Sequence, residues 1–310
     1  MMQIFVNANY DFVGKRKWFY AASGGLMLLS VIWILFVGGL NYGIDFTGGA
    51  LVQVRYDKPA SVDLVRRGLD EIKLGTAIIQ QFGDPQEYLI RLPHVAEKPD
   101  DLAKQVQAAL AKAAGGSLEI RRLEFVGPQV GRDLQLQALY AVLAGMAGIL
   151  IYVAFRFHFR DGVISVVAIA HDVIVTLGAL SITQREMSLP VLAALLTIVG
   201  YSINDTIVVF DRIRETRAKG LRKGQTIADL VNSAMNQTLS RTLLTSFTTF
   251  VSAVVLLIFG GEVLRDFAFA LVVGVVTGTY SSIAAASLVM DWETWSRVRT
   301  KTAGKVPAKA

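Results

Sequence analysis

Apolar residues gather into six blocks along the chain, and between the first and second blocks the pattern changes character. The blocks Trp18–Leu40, Leu136–Phe155, Gly162–Thr183, Leu189–Phe210, Thr242–Phe259 and Phe267–Met290 each approach the ~20 residues that cross a hydrocarbon core. Charged or turn-forming residues bound every block, so the pattern predicts six membrane helices. The first block is too long, and lacks the small-residue cleavage site, to be a removable signal peptide; a retained helix is expected there.

The segment Asn41–Gln135 alternates two hydrophobic periods. Val52, Val54 and Tyr56 are spaced by two, as in a half-buried strand, whereas Val62, Val65, Leu69 and Ile72 are spaced by three and four, as on one helix face. Thr76–Phe82 and Tyr88–Leu92 read as strands joined by the turn Gly83-Asp84-Pro85. Leu102, Val106, Leu110 and Ala113 mark a second helix entered through Pro99, and Leu118–Val126 reads as a last strand. The order β-α-β-β-α-β is the split βαβ arrangement, so the predicted fold is a membrane all-α six-helix bundle with an inserted α+β ferredoxin-like domain. The expected division is a terminal segment 1–17, a first span 18–40, the inserted domain 41–135, a membrane domain 136–290 with a loop at 211–237, and a basic tail at 291–310, disordered after Arg299.

Composition agrees with a bilayer: the 310 residues are 53% hydrophobic and only 18% charged. The net charge of +6 comes with no zinc spacing or aromatic-basic motif, so it argues against nucleic acid and acts as a topology signal. Lys15, Arg16 and Lys17 precede the first block, and Arg156 and Arg160 fill the turn after the second. Arg212, Arg214, Arg217, Lys219, Arg222 and Lys223 follow the fourth, and Arg297, Arg299 and Lys301 follow the sixth. With six spans all of these fall on one side, which the positive-inside rule makes cytoplasmic. Both termini are then cytoplasmic and 41–135 lies outside. There is no cysteine, hence no disulfide or thiolate metal site.

Ionisable side chains within a span cost roughly 2.5–3.5 kcal/mol each on insertion scales, so the few present are the candidate chemistry. Asp172, beside His171, sits midway along the third block; Asp205, beside Asn204, sits in the cytoplasmic half of the fourth; Arg241 opens the fifth. Asp205 precedes Asp211 by six residues, about 9 Å inside the border at the helical rise, and Arg241 falls near that level, so an Asp205–Arg241 pair is possible. Thr238, Arg241, Thr245, Thr248 and Ser252 are spaced three, four, three and four, forming one stripe; Ser165, Asp172, Thr176 and Thr183 form another, and Thr197, Tyr201 and Asp205 a third. The three stripes are expected to converge, because polar groups facing lipid would be unsatisfied. Proton-pathway candidates are therefore Asp205, Arg241 and Asp172, supported by Asn204, Tyr201, Thr176, Thr245 and Thr248.

Each candidate has a plainer reading. Asp205 can be a carboxylate that binds and releases protons or a structural partner of Arg241; Asp172 can carry protons or hold helices together through a Thr or Ser; Arg241 can be a snorkelling border residue. His171 points about 100° away from Asp172 as its helical neighbour and is expected to be structural. Gly274, Gly278, Ser282 and Ala286, every four residues, read as a packing face. No phosphate-binding Gly-x-x-x-x-Gly-Lys-Ser/Thr loop and no His-Glu-x-x-His occurs, so neither ATP hydrolysis nor zinc proteolysis is expected: no enzyme, no metal and no cofactor. Any work would draw on an ion gradient, where a unit charge is worth roughly 2.3 kcal/mol per 100 mV.

Five strings stand out: Gly43-Ile44-Asp45-Phe46-Thr47-Gly48-Gly49, Val126-Gly127-Pro128-Gln129-Val130-Gly131, Ala170-His171-Asp172-Val173, Gly200-Tyr201-Ser202-Ile203-Asn204-Asp205-Thr206-Ile207-Val208-Val209-Phe210-Asp211-Arg212 and Ser240-Arg241-Thr242. Together they resemble the SecF family of bacterial protein-export subunits. The fourth-span string is the specific one; Phe-Thr-Gly-Gly is shared with SecD. The resemblance implies membership of the resistance-nodulation-division superfamily, an inner-membrane location, and a complex with SecD that associates with the SecYEG channel. It also implies proton-driven pulling of unfolded preproteins on the periplasmic side, with the positions of Asp205 and Arg241 in proton passage. Related transporters contain two six-span halves, so SecD, fused or separate, would supply the other half. Coupling to sodium in place of protons, a non-motor scaffold for the channel, and a small-molecule or lipid exporter of the same superfamily remain as alternatives.

Overall fold

A computed structural model describes residues 8–93, 99–220 and 224–303. In chain order the elements are α1 (Arg16–Ile32), continued by a π-helical turn at Trp33–Val37, then β1 (Asn41–Tyr42), α2 (Ile44–Thr47), β2 (Gly49–Tyr56) and α3 (Val62–Glu71). β3 (Ile78–Gln81), β4 (Glu87–Pro93), α4 (Pro99–Ala114), β5 (Leu118–Val126), α5 (Pro128–Arg156) and α6 (Phe159–Ile182) follow. β6 (Glu186–Met187), α7 (Leu189–Ala218), α8 (Ile227–Phe259) and α9 (Gly261–Ala303) complete the order. Six helices are long and apolar enough to cross a membrane.

The helices outrun the apolar blocks that announced them. α7 continues to Ala218 and α8 begins at Ile227, so the loop expected at 211–237 shrinks to the residues between them. The chain leaves the apolar window there but not the helix, because Arg, Glu and Ala are all good helix formers. α8 starts at a reciprocal cap in which Thr226 Oγ1 accepts from the Asp229 amide at 3.1 Å and the Asp229 carboxylate accepts from the Thr226 amide at 2.9 Å. α9 likewise runs on to Ala303, past Arg299 into the first residues of the stretch expected to be disordered; 304–310, and 1–7 of the terminal segment, lie outside the described residues.

The chain forms two compact units, 41–140 with 186–189, and 1–40 with 141–185 and 190–310. In the α+β unit the four main strands lie in the order β3-β4-β2-β5, every adjacent pair antiparallel. α3 and α4 cover one face, where Val65, Leu69, Leu102, Val106 and Leu110 meet Val52, Val54, Ile90 and Leu92, all at most 1% exposed. Complete burial of such side chains contributes roughly 1.5–3 kcal/mol each. A second, two-stranded parallel pair joins β1 to β6, and was not foreseen. There Arg91 on β4 forms an ion pair with Glu186, and Asp45 Oδ2 accepts from the Leu189 amide at 2.8 Å, satisfying a donor at the start of α7.

In the helical unit α6, α7, α8 and α9 share an apolar core that includes Ile164, Val209, Phe210, Leu230, Ala234 and Val289, while Val153 of α5 meets Ile169, Val173, Val199 and Ile203. α1 lies against α6 and α9: Tyr280 donates to the Phe19 carbonyl at 2.8 Å, and Arg16 and Tyr20 hold Asp291 at 3.0 and 2.9 Å. Ahead of α1 the backbone is clasped by two asparagines of α8. Asn232 accepts from the Phe12 and Val13 amides and donates to the Tyr10 carbonyl, and Asn236 both accepts from and donates to Tyr10.

Candidate functional site

Three carboxylates are buried in the helical unit among the described residues: Asp161 in the first turn of α6 at 6% exposure and, within the apolar windows, Asp172 on α6 at 0% and Asp205 on α7 at 2%; the last two are the candidates. They meet different surroundings. Asp172 Oδ2 accepts from Ser202 of α7 at 2.6 Å and from Ser281 of α9 at 2.8 Å, and its Oδ1 lies 2.9 Å from His171 Nδ1. One carboxylate thus joins three helices. α9 comes close enough because it carries Gly278, where an added Cβ would stand 3.3 Å from Ser202 and 3.5 Å from Asp172 Oδ2. One turn earlier, a Cβ on Gly274 would fall 2.2 Å from Ile198, so the small face of the sixth span is the packing surface facing α7.

His171 turns toward Asp172, not away from it. Adjacent helical residues diverge at Cα, but an imidazole and a carboxylate are long enough to fold back across that angle. The other ring nitrogen, Nε2, is buried with no hydrogen bond among the described residues, and the ring lies 6.3 Å from that of Tyr280.

Asp205 is held less firmly. Its Oδ2 accepts one bond, from Ser246 of α8 at 3.2 Å, and Ser246 Oγ in turn lies 2.8 Å from Thr279 Oγ1 of α9. Tyr201, one turn before Asp205, buries a hydroxyl that lacks a partner among the described residues, as does Thr242 on α8. Asp205, Ser246, Thr279 and Tyr201 thus form a buried polar cluster whose hydrogen-bonding capacity is only partly used among the described residues.

Arg241 does not pair with Asp205: among the described residues no cation lies within 4 Å of the Asp205 carboxylate, and Arg241 is on the exposed face of α8. The stripe expected on α8 is displaced with it. Thr248 and Ser252 are exposed, Thr245 is half-buried, and the inward positions are Thr238, Thr242 and Ser246. α8 carries two adjacent polar stripes about 100° apart, and packing against α9 selects the second. The hydroxyls of Thr245, Thr248 and Thr176 all turn back to carbonyls of their own helices, at 2.9 to 3.0 Å for the first two and 2.7 Å for Thr176. Asn204 is exposed. α6 and α7 do meet at Asp172 and Ser202, but Ser202 lies off the stripe expected on α7, and Thr197 of that stripe and Thr183 of the α6 stripe are exposed. Ser202, Ser246, Thr279 and Ser281 are the contributors the sequence reading missed; only Ser246, four residues beyond Thr242, had a spacing that hinted at it.

What remains outward is a set of polar positions on α7 and α8. Thr197, Gly200 and Asn204 on α7, spaced three and four, and Arg241, Thr248 and Ser252 on α8 are all exposed within helices that otherwise suit lipid. The hydroxyls of Thr197, Thr248 and Ser252 bond carbonyls of their own helices, which leaves Asn204 and Arg241 as the outward groups that hydrocarbon would not satisfy.

Residues 105–295 match the family described as "Protein export membrane protein SecD/SecF, C-terminal", and residues 33–60 match the "SecD/SecF GG Motif". Among curated proteins the chain is 47% identical over 283 residues to "Protein translocase subunit SecF" of Calditerrivibrio nitroreducens, covering 91% of this chain and 93% of that one. It is 41% identical over 280 residues to the protein of the same description from Escherichia coli O157:H7, covering 90% and 86%. Among solved structures, the crystal structure of SecDF, a translocon-associated membrane protein from Thermus thermophilus, superposes with a TM-score of 0.83 at 42% identity, covering 94% of this chain and 40% of that one. SecDF in a super-membrane-facing form gives 0.72 at 41% identity, covering 98% and 41%. The chain therefore spans about two-fifths of the length of those SecDF chains.

Proposed function

Since the chain belongs to the SecD/SecF family of protein-export membrane proteins, as a SecF-type translocase subunit, we propose that it works as half of a proton-driven device with SecD, promoting preprotein export. The observation that carries this reading is the exposed polar face of α7 and α8, with Arg241 on it, lying beside the half-satisfied Asp205 cluster. A six-span partner laid over that face would remove Arg241, Thr248 and Asn204 from lipid and enclose Asp205 within a polar path. The length of the SecDF chains, of which this chain matches 40%, is consistent with SecD supplying that half.

In the cycle proposed, Asp205 is the group that changes protonation. It sits at 2% exposure with a single weak acceptor contact, so a small movement of α8 that removes Ser246, or brings Arg241 nearer, alters which form is favoured. Asp172 has the opposite character: all of its acceptor capacity toward α7 and α9 is used, which favours the packing role over proton carriage. Arg241 would enter when the partner half closes, and sodium in place of the proton is the alternative coupling ion.

The proposed setting is the bacterial inner membrane, with both termini cytoplasmic and the α+β unit periplasmic, as the arginine-rich ends of α5 and α7 favour. That unit is read as ferredoxin-like; its element order and its strand order β3-β4-β2-β5 support this. SecYEG and the emerging preprotein are the partners proposed there. The test is gradient-dependent completion of translocation, without ATP, by wild-type and Asp205→Asn protein copurified with SecD. Loss of the late step with assembly intact is expected. Full activity would leave a scaffold for the channel as the better reading, and dependence on external sodium at fixed membrane potential would replace the proton.

A further inference from the structure

A narrow cleft opens between α7, α8 and α9, and its one lining residue from outside those helices is Phe12, in the segment ahead of α1. Val209, Thr238, Thr242 and Ser282 are among its walls, and the last three are at most 8% exposed. Two of the three hydroxyls are committed as donors. Thr238 gives its proton to the carbonyls of Ala234 and Met235, each at 3.1 Å, and Ser282 gives its own to that of Thr279 at 2.9 Å. The hydroxyl of Thr242, at 4% exposure, has no partner among the described residues. A buried donor left unmade is costly, so an acceptor belongs beside it. The space open to the centre of a water molecule is about 10 Å3, close to the least that holds one. One water there would accept from Thr242 and donate to the oxygens of Thr238 and Ser282, enough partners for a buried water.

One helical turn further into the bundle, each of the three helices presents a member of the Asp205 cluster. Val209 is four residues from Asp205, Thr242 is four from Ser246, and Ser282 is three from Thr279, spacings that keep each pair on one face. Successive helices alternate in direction, so the three steps lead the same way. Ser246 lies 3.2 Å from Asp205 Oδ2 and 2.8 Å from Thr279 Oγ1, so the cleft points at the carboxylate. Its other end is closed by a fastened residue. Asn232 accepts from the Phe12 and Val13 amides at 2.9 and 3.3 Å, Asn236 accepts from the Tyr10 amide at 2.8 Å, and Val13 is buried in the adjoining core at 4% exposure.

We propose that this cleft binds a water beside Thr242 and is the mouth through which Asp205 exchanges protons with one side of the membrane, and that Phe12, fastened by Asn232 and Asn236, is its plug. A phenyl ring offers no hydrogen bond, so a file of waters ends at it while it stays seated. The water and the plug stand on the cleft alone; their use for protons rests on the role of Asp205 proposed above.

The chain has no cysteine, so thiols can be placed one at a time. The test is the rate at which a small cationic methanethiosulfonate labels Thr242→Cys in the full chain, copurified with SecD and held in lipid nanodiscs. The reagent attacks a thiolate, which forms where water reaches the sulfur, so adding Phe12→Ala is expected to speed labelling about tenfold or more. The Asn232→Ala/Asn236→Ala pair, which frees the segment without altering the cleft, is expected to act in the same direction. Val276→Cys, exposed on α9, is expected to keep one rate in every background. Equal rates at Thr242→Cys with and without Phe12→Ala overturn the plug, and absence of labelling in every background overturns the mouth. If Val276→Cys also speeds up with Phe12→Ala, that variant has loosened generally and the asparagine pair decides by the same comparison. The water has its own readout: Thr242→Val, which keeps the shape and loses the hydroxyl, is expected to unfold at a lower fraction of denaturing detergent than wild type, and Thr242→Ser at the same fraction. A valine variant as stable as wild type, or more so, overturns the bound water. Neither measurement needs a gradient or a preprotein, so both stand or fall apart from translocation by Asp205→Asn.

Discussion

Asp172 offers the sharpest test of how the bundle is held together, because two replacements separate its geometry from its charge. Asp172→Ala removes three contacts, to Ser202 at 2.6 Å, Ser281 at 2.8 Å and His171 at 2.9 Å, at a site with 0% exposure. Side-chain hydrogen bonds between membrane helices average ~0.6 kcal/mol and reach ~1.7 kcal/mol, so loss of the two that cross to α7 and α9 should cost about 1–3 kcal/mol. Asp172→Asn keeps an oxygen that both serines can reach and puts an amide N–H toward the imidazole, so it should cost less than about 1 kcal/mol. The assay is reversible unfolding of the full chain in mixed micelles titrated with a denaturing detergent. An alanine variant as stable as wild type, or an asparagine variant as unstable as the alanine one, would falsify the hub. Translocation by Asp172→Asn adds a second readout: a packing role leaves activity near wild type, and a proton-carrying role abolishes it.

Three further outcomes follow from the geometry of the two units. Asp45→Ala should accelerate hydrogen exchange at the Leu189 amide and lower stability by about 1 kcal/mol, the usual cost of a lost N-terminal cap; an unchanged exchange rate would show the 2.8 Å bond to be idle. Leu110→Ala, at 0% exposure beneath α4, should destabilise the α+β unit by about 2–5 kcal/mol in thermal unfolding of the full chain, and a loss under 1 kcal/mol would mean the core has collapsed around the gap. Asn232→Ala removes three backbone bonds to residues 10, 12 and 13, so limited proteolysis ahead of α1 should become faster; equal rates would place the clasp elsewhere.

How legible these features were depends on range. The six spans could be read because a bilayer imposes a length on apolar runs, and β2 to β5 because their side chains alternate or repeat at the helical period over many residues. β1 and β6 could not: each is two residues long, they pair from 41 to 186, and no periodicity survives over two positions. The same contrast holds in the bundle. Asp172 and Asp205 stood out as charges within apolar runs, a local signal. Their partners Ser202, Ser246 and Ser281 did not, since serine is common in spans and only the crossing of α7, α8 and α9 decides which hydroxyl turns inward. Arg241 was expected opposite Asp205, but Ser246, five residues on, takes that place and Arg241 lies on the exposed face, because α8 offers two polar stripes and the sequence of α8 alone contains nothing that chooses.

The pairing of β1 with β6 also bears on the order of events during synthesis. The α+β unit draws its last strand from Glu186 and Met187, which leave the ribosome only after α5 and α6 have been made. Until then β1 has an open edge, Arg91 lacks Glu186, and the carboxylate of Asp45 waits for an amide not yet synthesised. Completion of this unit is therefore tied to the threading of the third span, and a nascent chain halted before residue 186 would present that open edge to whatever chaperone or membrane component lies nearby.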